Sequence, residues 1–363
     1  MTGRLGSLEL DHDQDLTKCG RAMLLISCYS ACAVFAIPGN NAKVVRKLTG
    51  TSMSTHTFSS PEAYVAGIGN ANLRVSLMFR KSRVPWTFSS LDLPELRLQW
   101  GQGGGCTLTE GAVVREGGVI LVPTQNIQAM RMNGHRFDAQ TFRLQLQGDE
   151  LSLASTEPHR WFSMSIPSAL LDEWSGAGAT TKAPSSCFLR IAPERAEMFR
   201  RKVTQLGLIV QREPDALESL AAIRTTVRKL TELARGAIWG LPTAETSPGR
   251  HAIPRKHIVQ VVMDSIDGQG GEYLTVPDLA STAGVSERTL RAAFQDYFGI
   301  GPAEFLKLRT LNLARDMLRN SDLALTTVTG VATRFGVWEL GRFARDYRLL
   351  FGELPSQTLR RAH

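Results

Sequence analysis

The sequence predicts a multidomain α+β protein: an antiparallel β domain, a helical connector, and an all-α C-terminal domain carrying two helix-turn-helix units. Three observations predict it. A pattern of small residues, glycines and aromatics occurs twice between Leu274 and Pro355. Short alternating segments separated by Gly and Pro fill residues 51 to 167. Apolar residues recur at three- and four-residue steps from Leu217 to Leu233.

The doubled pattern is the most specific of these. Its first copy is LTVPDLASTAGVSERTLRAAFQDYFGIGP and its second is LTTVTGVATRFGVWELGRFARDYRLLFGELP. In each, an alanine (Ala280, Ala332) stands four positions before a glycine (Gly284, Gly336). An aromatic-glycine pair then closes the next helix (Phe298-Gly299, Phe351-Gly352), and Pro302 or Pro355 follows. Two short helices crossing steeply need a small side chain where their axes meet, and the turn needs a residue that accepts positive φ. Ser286 is placed to cap the second helix, with Thr289 at its N3 position. Leu290, Phe294 and Phe298 share one face, and Phe343, Tyr347 and Phe351 repeat that spacing. Those faces are core. Glu287, Arg288 and Arg291, then Glu339, Arg342 and Arg345, are left pointing outward. Arginines on one helix would describe any solvated face; their recurrence within a doubled helix-turn-helix pattern points to DNA.

The run VATRFGVWELGRFARDYRLLFGELPSQTLR is similar to the signature of the AraC/XylS family of bacterial transcription regulators. The stretch LASTAGVSERTLRAAFQDYFGIGPAEFLKLRTLNLARDML resembles the first half of the same domain. The resemblance implies two units joined by a long helix, with recognition helices entering successive major grooves on one face of DNA. It assigns Arg288 and Arg291 to the first recognition helix and Arg342 and Arg345 to the second. Val331, Ala332, Gly336, Phe343, Phe351, Gly352 and Pro355 become scaffold. Two positions depart from the family pattern: Val337, where an aromatic is usual, and Gly341, where a small polar residue usually lies near the bases.

The same resemblance implies a sequence-specific DNA-binding transcriptional regulator, an effector-responsive activator of a catabolic operon. Its expected partners are double-stranded DNA, a small organic effector, a second copy of the chain in a homodimer and, for an activator, RNA polymerase. A cupin-like effector-binding barrel is expected to precede the DNA-binding domain, and a cytoplasmic location follows from the same family.

Composition agrees with this picture. The chain has 363 residues, enough for two or three domains with real cores. Its formal charge is +8, which favours a polyanionic partner. Five cysteines form neither a zinc pattern nor a disulfide framework and fit a reducing compartment; Cys28 and Cys32 are four apart but lack a nearby histidine.

In chain order, residues 1–50 read as an N-terminal extension. Its apolar run, Ala22 to Ile37, is shorter than a membrane span needs, and Glu9, Asp11, Asp13 and Asp15 before it are wrong for a secretion signal. A buried element and a mere extension both remain open for it, and no membrane partner is expected.

Residues 51–190 read as the β-rich effector-binding domain, a barrel or sandwich. Its strands are placed at Asn70 to Phe79, Trp86 to Leu91, Leu96 to Gly101, Gly117 to Pro123, Thr141 to Gln147 and Arg160 to Pro167. The glycine-rich segment Gly101 to Gly111 lacks the terminal Gly-Lys-Ser/Thr of a phosphate loop and reads as a flexible loop between strands. Arg74, Trp86, Arg97 and Trp100 are effector-pocket candidates by residue type.

No nucleophile elbow or dinucleotide fingerprint is present, so neither enzyme activity nor a cofactor is expected. A cupin-type metal-dependent enzyme fused to a DNA-binding domain is the competing class. It would need His56, His135 and His159, isolated in sequence, to converge. A ligand-independent DNA binder is the other alternative.

Residues 191–240 form the helical connector. Pro193 and Glu194 suit a helix start, and Leu217, Leu220, Ile223, Val227, Leu230 and Leu233 make an apolar stripe that must be buried. Packing on its own barrel and pairing across a dimer both satisfy it; the family resemblance favours the dimer. Residues 241–254 have the composition of a linker. Residues 255–363 are the DNA-binding domain, opening with a helix whose Ile258, Val261, Val262 and Ile266 face inward. Phe305, Leu308, Leu311 and Leu318 line the helix between the two units, which sets recognition-helix spacing near one DNA turn, about 34 Å. Arg342 and Arg291 are the expected base contacts; Arg309, Arg315 and Arg348 read as phosphate contacts or plain surface.

Overall fold

The computed structural model describes residues 47–48, 51–69, 71–78, 84–93, 96–176, 186–212, 220–238, 255–268, 274–322 and 325–361. The apolar run Ala22 to Ile37, Cys19, Cys28, Cys32, Leu217 and the 241–254 linker lie outside them. Among the described residues no helix is long and apolar enough to cross a membrane.

The N-terminal half is a pair of antiparallel sheets. Its elements in order are β1 (Lys47–Leu48), β2 (Thr51–Phe58), α1 (Pro61–Ala66), β3 (Ala71–Leu77), β4 (Trp86–Asp92), β5 (Arg97–Gly103) and β6 (Thr107–Val113). Then come β7 (Gly118–Gln125), β8 (Met130–Met132), β9 (His135–Arg136), β10 (Thr141–Leu146), β11 (Glu150–Ser155), β12 (His159–Ile166), α2 (Ser168–Gly176) and β13 (Cys187–Arg190). One sheet has eight strands in the order β1-β2-β4-β5-β12-β7-β10-β13; the other has five, β3-β6-β11-β8-β9. The expected closed barrel is therefore an open two-sheet arrangement: among the described residues no strand of one sheet is hydrogen-bonded to a strand of the other.

Strand alternation sorts side chains between two cores. Phe58, Trp86, Phe88, Leu121, Trp161 and Phe188 turn into the space between the sheets. Leu98, Trp100, Ile120, Val122, Phe142 and Phe162 turn outward beneath α3 (Pro193–Arg212) and α4 (Leu220–Ile238). The glycine-rich segment read as a loop is mostly strand, because Gly101 and Gly103 lie within β5. Glycine is needed there for close approach: a Cβ at Gly101 would collide with the Trp161 ring and the Tyr64 hydroxyl, and one at Gly103 with the His159 ring.

The described part of the connector stripe, Val227, Leu230 and Leu233, packs within its own chain. Val227, Leu230, Ala234 and Ala237 of α4 join Phe199, Val203 and Leu206 of α3 over the eight-stranded sheet. Trp100 Nε1 donates to the Val203 carbonyl at 2.7 Å, fastening α3 to β5.

The C-terminal half is helical throughout: α5 (Arg255–Gly268), α6 (Val276–Thr282), α7 (Glu287–Phe298), α8 (Pro302–Arg319), α9 (Val328–Arg334), α10 (Leu340–Phe351) and α11 (Pro355–Arg361). On α5 the buried positions are Ile258, Val259, Val262 and Ile266; Val259 takes the inward place expected for Val261.

Candidate nucleic-acid interface

The two helix pairs repeat one local geometry. Thr275 and Asp278 form a reciprocal capping box at the start of α6. At its end Gly284 takes φ +61°, and Val285 N donates to Ala280 O at 3.0 Å. In the second pair Thr327 caps α9, Gly336 takes φ +70°, and Val337 N donates to Ala332 O at 3.0 Å. Ala280 and Ala332 are both buried at these crossings. Gly299 and Gly352 end α7 and α10 in the left-handed conformation, φ +81° and +76°.

Aromatic rings hold each second helix down. Phe298 stacks on Phe305 at 4.8 Å, and Tyr347 packs edge-on against Phe351 at 4.6 Å. Tyr347 Oη donates to Thr358 Oγ1 at 2.7 Å in a buried bond that ties α10 to α11.

The faces turned away from these cores carry the predicted side chains. Arg288, Arg291, Arg342, Arg345 and Glu339 are exposed, while Glu287 is partly so. Nearby acids hold three of these four arginines: Arg291 with Glu287 at 2.9 Å, Arg342 with Glu339 at 3.5 Å, and Arg345 with Asp346 at 3.6 Å. The exposed pairs of Arg291 and Arg342 with Glu287 and Glu339 are worth at most about 1 kcal/mol, so phosphate or guanine can displace those acids. The helices differ at their N-termini. Ser286 caps α7 by accepting from Thr289 N at 3.2 Å, whereas Glu339 makes no side-chain cap on α10. Beside that uncapped end Trp338 is 79% exposed; its sequence signal is a large aromatic immediately after the turn. Gly341 faces open space.

Arg309 and Arg315 are engaged inside the chain. Arg309 donates to Ile266 O at 3.2 Å and pairs with Asp267, linking α8 to α5. Arg315 pairs with Glu62 of α1 at 2.7 Å and lies over the Phe351 ring at 4.6 Å, while Arg319 reaches the same Glu62 at 3.5 Å. Asn312 bonds the backbone of Leu77 at the end of β3. Tyr297 packs against Gly134 in the turn between β8 and β9, where φ is +79°. These contacts join the helical half to the five-stranded sheet and to α1. Arg348 stays exposed.

Between the two sheets is a cavity of about 80 Å³. Of the four effector-pocket candidates, Trp86 lines it. Trp100 points the opposite way, under α3. Arg74 pairs with Glu110 at 3.4 Å and Arg97 pairs with Asp92, both off the cavity wall. The three histidines do not converge. His159 lines the cavity, His56 sits on β2 near Phe58, and the His135 ring stacks on Phe188 at 3.9 Å. Among the described residues no group of three or more His, Cys, Asp or Glu is placed to hold a metal ion.

Comparison with known proteins adds the following. A family described as a helix-turn-helix domain matches residues 279–361. The probable thc operon regulatory protein of Rhodococcus erythropolis is 38% identical over 103 residues, 28% of this chain and 31% of that protein. XylDLEGF operon transcriptional activator 3 of Pseudomonas putida is 26% identical over 290 residues, 76% of this chain and 80% of that protein. The chain thus spans under a third of the first relative's length and most of the second's. Among solved structures, a probable AraC family transcriptional regulator from Rhodopseudomonas palustris CGA009 is 41% identical, covering 29% of this chain and 97% of that one, with a TM-score of 0.27.

Proposed function

This chain belongs to the AraC/XylS family of bacterial transcription regulators, and on that premise we propose that it is an effector-responsive activator that binds its operator through α7 and α10. The observation that carries the proposal is the repeated turn. Val285 N to Ala280 O and Val337 N to Ala332 O set α7 and α10 at equivalent exits from their partner helices, each presenting paired arginines. The rigid α8 between them fixes their spacing, so two major grooves on one face of the duplex, about 34 Å apart, are read together. Arg291 and Arg342 contact bases; Arg288, Arg345 and Arg348 grip phosphates, with Glu287 and Glu339 positioned to accept from cytosine amino groups.

The cavity between the sheets is the sensor, and α1 is its link to the DNA-binding half. Tyr64 and Val65 of α1 line the cavity, while Glu62 of the same helix holds Arg315 and Arg319 of α8. Dimerisation through the connector uses the outward Leu208 and Ile209 of α3, because Val227 and Leu230 are already covered within the chain. A catabolic operon as target and contact with RNA polymerase belong to the same proposal and rest on kinship with operon activators.

The test is gel retardation of the DNA upstream of its own gene by purified protein, with a reporter on the same promoter. Retardation that competitor DNA of unrelated sequence abolishes as readily as the operator itself would sink the proposal.

A further inference from the structure

Among the described residues, the wall of the cavity carries no Lys, Arg, Asp or Glu side chain. Tyr64, Trp86, Leu121, Met132, Leu153 and Trp161 make most of it apolar. Gln145 enters that wall from β10; it is 3% exposed, and its Nε2 has no hydrogen-bond partner. A buried amide donor left without an acceptor is uncommon in folded proteins and calls for a group that completes it. On the same wall the His159 Nδ1–H donates to the Glu157 carbonyl at 3.3 Å, which leaves Nε2 as an acceptor. Burial pushes His159 down to about 4 and Tyr64 upward, so both stay uncharged at neutral pH.

We propose that this cavity takes an uncharged, mainly apolar small molecule bearing one carbonyl or hydroxyl oxygen, which accepts a hydrogen bond from Gln145 Nε2. The proposal rests on the regulatory reading above and names the ligand class of its sensor. A carboxylate would enter with a charge that no cation on the wall meets, and its lost hydration would go unrepaid. Arg143 lies two residues from Gln145 on the same face of β10, but its guanidinium rests over the Phe188 ring at 4.6 Å and does not line the cavity.

Size sets the consequence of binding. A benzene-sized guest occupies a cavity of about 150 Å³, whereas this one holds about 80 Å³. A guest of that size presses on α1, the helix that lines the cavity outside the strand ladders. Its displacement carries Glu62 away from Arg315 and Arg319.

Isothermal titration of the full-length protein at pH 7 with cyclohexanone, cyclohexanol and cyclohexanecarboxylate tests this. The ketone and the alcohol should bind at least about tenfold more tightly than the carboxylate. Gln145→Leu should weaken the ketone at least about fivefold, a modest hydrogen-bond effect, with a melting temperature unchanged or raised; Gln145→Met serves if the leucine variant does not fold. Equal or tighter carboxylate binding, lost in Arg143→Met, would make the site an anion pocket and overturn the proposal. So would ketone affinity unaltered by either Gln145 variant, or no binding of any probe. None of these outcomes alters operator retardation, whose failure would instead remove the regulatory reading.

Discussion

Asn312 on α8 closes two hydrogen bonds with the backbone of Leu77, accepting from Leu77 N at 3.1 Å and donating to Leu77 O at 3.0 Å. A single side-chain amide thus imitates a strand partner at the end of β3. One turn further along α8, Arg315 adds an ion pair with Glu62, in which the arginine side chain is only 14% exposed. Helix α8, which lies between the two helix pairs, is therefore clamped to the domain that holds the cavity.

Releasing that clamp should make the regulator less dependent on its ligand. Asn312→Ala leaves the Leu77 backbone groups unpaired, and Arg315→Met removes the closest partner of Glu62; each should cost about 1–3 kcal/mol of stability. Reporter output without effector should rise in both variants, and the double variant should respond least to added ligand. Unchanged basal output with lowered melting temperature would reduce the clamp to a purely structural role.

The arginines should separate by role. Arg291→Ala and Arg342→Ala should each lose about 1–3 kcal/mol of discrimination between operator and scrambled DNA. Arg348→Ala should weaken both DNAs alike and lower the slope of log affinity against log salt by about one. Retardation titrations at several salt concentrations distinguish the two patterns.

Gly341 should accept a side chain. Nothing lies within 4 Å of where its Cβ would stand, and it sits within α10. Gly341→Ser should stabilise the helix by a few tenths of a kcal/mol and should hold or raise operator affinity. A fall in melting temperature would show that the open space is occupied by something the isolated chain lacks.

Stability should decline in mild acid because of His159. Its pKa is about 4 in the folded protein against 6.5 as the ordinary value, so between these values the unfolded chain binds the proton more readily. The stabilisation is whole above about pH 6.5 and is lost as pH falls toward 4, by about 3 kcal/mol in all. Denaturant melts from pH 7.5 to 4.5 should show that slope, and His159→Phe should flatten it.

The helical half was legible from local chemistry. Gly284, Gly336, Gly299 and Gly352 are demanded by positive φ, and the spacing of Leu290, Phe294 and Phe298 follows from helical period alone, so neighbouring residues carry the information. The outward arginines were found by subtraction from that core. The β half was legible only as strands. Alternation says that two faces exist but not which one meets the cavity. Trp86 and Trp100 have the same composition and similar strand settings, yet one lines the cavity and the other bonds Val203 under α3. Likewise the stripe on α4 announced burial without naming the surface that covers it.

By itself, then, the sequence determined the paired helices, their turns and the basic faces they present, because each depends on contacts within a few residues. Only the tertiary structure decided that the sheets stay open, that Gln145 Nε2 lies unpartnered on a cavity wall, and that Arg315 and Asn312 engage α1 and β3. Those facts join residues up to 253 positions apart, as Arg315 is from Glu62. Pairings at such separations are set by how the elements pack, and no local propensity records them.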